Sequence, residues 1–157
     1  DLSGAAVLST VRDGADEIDP GTAQAVLESL SAAGETAIVD LPRQLTPAAR
    51  AAVVLADRVL LIVPAEVRAG VAAAMIARQL ITLTDRVEVV VRTGSGAQLQ
   101  PPAIASALGL PLAGSLRSAA GVTAALDRGE FPSRKIRGSL GGLCRSLLAA
   151  EPVRTAS

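Results

Sequence analysis

Apolar and polar residues follow two rhythms along this chain, and the switches between them mark its elements. Short apolar runs stand at residues 5–9, 37–39, 58–63, 87–91 and 110–116. Runs of this length, rich in Val, Ile and Leu, suit strands buried on both faces of a parallel sheet. Between them lie segments whose apolar residues recur every three or four positions, the period of a helix packed by one face. Over residues 20–34 that face carries Ala23, Val26, Leu27 and Leu30. Asp19 before Pro20 offers an N-cap and a preset first turn, and Gly34 offers the stop. Thr46 before Pro47 repeats the start signal for a helix reaching about residue 56. Further helices are predicted over residues 67–83, 102–108, 119–127 and 138–150. This alternation predicts an α/β fold, a parallel sheet flanked by helices. One domain over residues 1–150 and a frayed tail over 151–157 are expected.

Composition narrows the picture. Half of the 157 residues are hydrophobic, yet Phe131 is the only aromatic, so the core must be built from Ala, Val, Leu and Ile. The formal net charge is zero, and no global field draws the chain to nucleic acid. From Phe131 onward the balance is locally basic, with Arg134, Lys135, Arg137, Arg145 and Arg154 against Glu151. There is no histidine, which removes imidazole bases and ligands together. The single cysteine, Cys144, excludes an intrachain disulfide and fits a reducing, cytoplasmic setting. No apolar run is long enough to cross a bilayer. The chain opens on Asp1 and reads as a piece of a longer polypeptide.

The candidate chemistry centres on residues 36–43, TAIVDLPR. A buried strand ending in Asp40 would deliver a carboxylate to the carboxyl edge of the sheet, where ligands bind in open α/β folds. A turn-capping role for Asp40 is the plainer alternative. Thr93, Gly94, Ser95 and Gly96 follow a strand, but Pro101 and Pro102 intervene before the next helix, and an ordinary loop is expected. Arg43 and Arg68 read as solvated residues at helix starts. Cys144 stands among Leu140, Leu143, Leu147 and Leu148 and is expected to be a buried thiol, since no base is available to activate it. The same helix could lie on an anionic membrane. Docking on the domain's own sheet explains its apolar stripe equally well and is preferred.

VDLPR at residues 39–43, ADRVLLIVPAEVRAG at 56–70, IASALGLPLAGSL at 104–116 and VTAALDRGEFP at 122–132 form an ordered series. Together they resemble the MinD/ParA class of deviant-Walker P-loop ATPases, above all the actinobacterial CpaE-like and septum-site-determining proteins. The resemblance covers the C-terminal part of that domain, which would lack its N-terminal P-loop strand here. It implies a cytoplasmic regulatory module that positions septum, secretion or pilus machinery, linked to ATP and magnesium in the intact protein. It places Asp40 on the magnesium side, through water, and Pro42, Arg92 and Arg117 near the nucleotide. It also implies a protein partner, either a second copy or a component of the machinery. The family pattern DTPP reads here as Asp40, Leu41, Pro42 and Arg43, and Val91 stands where an Asn is common. A phosphate cradle needs a lysine in its Gly-rich loop, whereas the only lysine is Lys135. This segment alone is therefore expected to be inactive and to bind no cofactor. A nucleotide-independent interaction module is the alternative. Of the strands, only the last three would be neighbours in such a sheet.

Overall fold

A computed structural model describes residues 6–9, 18–94, 96–117, 128 and 138–150. The chain divides into two compact units, Asp1–Ala52 and Val53–Ser157. The first holds helix α1 (Pro20–Ala32) and most of α2 (Pro47–Leu55), which runs across the boundary. The Asp19 carboxylate accepts from the Thr22 N–H at 2.8 Å, the capping bond anticipated from the sequence. At the other end Gly34 takes φ 73°, which a side chain would resist. There the Glu35 N–H reaches the Leu30 carbonyl and the Gly34 N–H reaches that of Ser31, both at 3.0 Å. Orphan carbonyls of the last turn are thereby satisfied. The Thr46 hydroxyl accepts from the Ala49 N–H at 3.2 Å and caps α2. No residue of α1 is buried, whereas Ala48, Ala49, Ala52 and Val53 of α2 are.

Two predicted strands in this unit do not form. Residues 6–9 and 35–42 have no regular structure, and Ile38 is 90% exposed. A strand is stabilised by a partner's backbone groups and by cover on its faces, and neither segment has a ladder here. The expectation of a buried strand delivering Asp40 is thus corrected: Asp40 is exposed on irregular chain.

The second unit contains a three-stranded parallel sheet in the order β1 (Val59–Pro64), β2 (Val87–Thr93), β3 (Leu112–Arg117). Helix α3 (Val67–Ile81) joins β1 to β2, and α4 (Pro101–Leu108) joins β2 to β3. Helix α5 (Ser139–Ala149) follows; the helix predicted at 119–127 lies outside the described residues. The fold class is as the sequence predicts, and its last three strands are neighbours.

Register shows how the two faces are filled. Val59, Leu61 and Val63 align with Val87, Val89 and Val91, so these six share one face. All but Leu61 are buried there, together with Ala73, Ala77 and Leu80 of α3 and Ile104 and Ala105 of α4. The small side chains of Ala73 and Ala77 allow α3 a close approach to the sheet. Gly109 takes φ 66° to end α4 before β3.

The other face carries Leu60 and Ile62 beside Glu88 and Val90, with Gly114 across from Val90. Helix α5 covers its β3 side. A Cβ on Gly114 would lie 2.5 Å from Leu143 Cδ1, so any larger residue would have to displace that leucine tip. Arg58 clamps the far end: Nε and Nη2 each donate at 2.8 Å to the Glu88 carboxylate, and Nη1 donates at 3.0 Å to the Leu147 carbonyl. The expected docking of this helix on the sheet is therefore present. Its contact stripe is Leu140, Leu143 and Leu147, all half-buried around buried Gly141. Cys144, expected to be buried, is exposed instead. The stripe follows i, i+3, i+7, and position i+4 turns away from so narrow a contact.

Candidate functional site: a crevice at the carboxyl edge of the sheet

The carboxyl ends of β1 and β2 diverge into their following segments and leave a crevice of about 140 Å³. It is lined by Pro64, Ala65 and Glu66 after β1, Arg92, Thr93 and Gly94 at the end of β2, and Gly96 and Ala97 beyond. It lies on the carboxyl edge of the sheet, the edge on which open parallel sheets hold ligands, although the strand order does not reverse between β1 and β2. A shallow apolar depression on α1, lined by Ala25, Val26, Ser29 and Leu30, offers no charged group.

Backbone bonds build the crevice. The Ala65 N–H donates to the Arg92 carbonyl at 2.9 Å and extends the β1–β2 ladder by one step. The Ala65 carbonyl accepts from the Gln98 N–H at 2.7 Å and the Leu99 N–H at 3.3 Å. The segment after β2, read from sequence as an ordinary loop, is thus tied across the end of β1. Glu66 occupies the N-cap of α3 without making a side-chain cap bond. Its Oε1 lies 3.8 Å from where a Gly96 Cβ would stand, an ordinary contact distance. The Thr93 hydroxyl is engaged with the Leu116 carbonyl at 3.4 Å.

Glu66 and Arg92 therefore bring opposite charges to one opening without forming a salt bridge; among the described residues that bond belongs to Arg58 and Glu88. The arrangement suits binding of a small polar group through charge and backbone. Among the described residues that line the crevice, the one side-chain hydroxyl is that of Thr93. A volume near 140 Å³ is below the ~300 Å³ at which ligand pockets usually begin. It has room for one group of a nucleotide and not for the whole.

Of the four residues singled out from sequence, Arg92 lines this crevice and Arg117 ends the adjacent strand. Register pairs Arg92 with Leu116 and Thr93 with Arg117. The two arginines are out of step by one residue and leave opposite faces of the sheet, so they do not converge. Asp40 and Pro42, both exposed, belong to the first unit. No cluster of three or more His, Cys, Asp or Glu side chains able to hold a metal occurs among the described residues. Sequence reasoning passed over Glu66 and read Thr93 as part of an ordinary loop. Glu66 stands two residues beyond β1 and Thr93 ends β2, and position at a strand end was the available signal.

Fold and crevice together define an α/β protein with a parallel sheet and a crevice at its carboxyl edge. Comparison with known proteins finds two relatives from Mycobacterium tuberculosis: uncharacterized protein MT3760 (strain CDC 1551 / Oshkosh) and uncharacterized protein Rv3660c (strain ATCC 25618 / H37Rv). The chain is 36% identical to each over 149 residues, covering 95% of this chain and 42% of the relative. It thus spans less than half the length of the curated relatives it matches. No protein-family model matches the chain, and no solved structure matches it. No helix among the described residues is long and apolar enough to cross a membrane.

Proposed function

We propose that this chain is a regulatory module of a MinD/ParA-like, CpaE-like cytoplasmic protein that positions septum or polar secretion and pilus machinery. In this reading ATP and magnesium act in the intact, longer protein, and this segment contributes the carboxyl-edge crevice with Arg92. One observation carries the proposal: β1, β2 and β3 are adjacent and parallel in chain order, the arrangement the ordered series of motifs implies. Asp40 supplies a carboxylate that orients the cation through water, a role that needs a bound nucleotide to assemble it. The test is calorimetric titration of magnesium ATP into a protein of the relatives' full length that carries this segment. Saturable, magnesium-dependent binding is expected, lost with Asp40→Ala and weakened about fivefold by Arg92→Ala, the loss of roughly 1 kcal/mol of contact. Absence of binding at millimolar nucleotide would sink the proposal.

A second reading is favoured by a separate observation. Ile62, Val71 and Met75 are each more than 60% exposed in the second unit. A nucleotide-independent interaction module would use such apolar surface.

A further inference from the structure

Helix α5 carries little that would hold it together by itself. It runs for 11 residues, SLGGLCRSLLA, short of the ~12–15 below which isolated helices are marginal in water. Gly141 and Gly142 stand inside it, each a poorer helix former than alanine. Gly138 at its N-cap has no side chain to accept from the free N–H groups of the first turn. No acidic residue in the first turn and no basic residue in the last answers the helix dipole.

The sheet supplies what the helix lacks. Leu143 packs where Gly114 leaves room for it, around buried Gly141. Arg58 Nη1 donates at 3.0 Å to the Leu147 carbonyl in the last turn, where a cation is favourable. Arg58 is thus a C-terminal cap delivered from another element. Its two other donations, from Nε and Nη2 to the Glu88 carboxylate at 2.8 Å, join the start of β1 to β2 and do not involve the helix.

We infer that α5 is a conditional element, helical only while docked, and that the sheet face beneath it opens by melting of the helix. Helix formation and docking are one equilibrium, and Arg58 is its latch. Glu88 keeps the guanidinium aimed in the open state, so redocking meets a prepared cap. The ladders joining β1, β2 and β3 are untouched by the step, as is the packing of α3 and α4 on the opposite face. Opening uncovers Val90, the most deeply buried residue of this face at 2% exposure. The device is an order–disorder strap across one side of the sheet. It works whatever the crevice binds.

Amide hydrogen exchange of the 157-residue chain, read residue by residue by NMR, tests this. Amides of α5 are expected to open at least about a hundredfold more often than those of β2. Gly142→Ala adds a methyl group that meets nothing within 4 Å. It should raise the protection of α5 about fivefold and leave β2 unchanged, because helix propensity enters the opening step. Arg58→Met should abolish both the protection and the helical chemical shifts of residues 139–149 while β2 stays protected. Amides of α5 that exchange only together with β2 in the wild-type chain overturn the inference. So do helical shifts that survive Arg58→Met, or α5 protection that does not respond to Gly142→Ala.

Discussion

Gly114 is where α5 comes nearest the sheet, and one methyl group there would collide with Leu143. Gly114→Ala must push the leucine tip aside or lift the helix, and overpacking of this kind costs about 1–3 kcal/mol. A lowered denaturant midpoint with an unchanged slope would record it. The Arg58–Glu88 pair is the second residue-scale fastening of α5, with side chains 19% and 28% exposed. Glu88→Gln preserves shape but removes the charge that aligns the guanidinium, which also holds the Leu147 carbonyl. About 1–2 kcal/mol of stability should be lost, with faster amide exchange in α5 before the sheet is affected. Neither fastening was legible in the sequence, because Gly114–Leu143 and Arg58–Glu88 are contacts of distant residues. Cys144 failed for a related reason: the heptad-like spacing was real, but how wide a stripe is used depends on the surface it meets.

Elements specified by local chemistry were read correctly. The Asp19–Pro20 start, the Gly34 stop and the Thr46–Pro47 start each rest on bonds within a few residues. Because α1 buries none of its residues, its caps carry an unusual share of its stability. Asp19→Ala should cost about 1 kcal/mol, seen as reduced helical chemical shifts over residues 20–32 with the sheet signals unmoved. Strands were legible only where a neighbour exists. β1, β2 and β3 emerged within two residues of their expected limits, whereas residues 6–9 and 37–39 share the same apolar character without forming a ladder. Sequence pattern records the capacity to pair; pairing itself is non-local. The crevice was half legible for the same reason. Arg92 came from the family resemblance, but its position on the opposite face from Arg117 depends on register.

For the whole molecule, the distribution of ordered bonds predicts an uneven stability. β2 is bonded on both sides and holds Val87, Val89, Val90 and Val91 at 2% exposure or less. Its amides should be the slowest to exchange in deuterium, opening only with global unfolding, while residues 36–40 should exchange near the rate of free peptide. Comparable protection in both regions would show that the 36–40 segment is in fact paired. The sheet order has one more consequence, which concerns synthesis. Each strand pairs with the next one made, through a connection that is mostly helix. At the ~5–20 residues per second at which chains emerge from the ribosome, β1 waits only seconds for β2, and β2 for β3. Each pairing can therefore close before the next strand appears, and the growing chain never has to hold a gap open for a strand still to be translated.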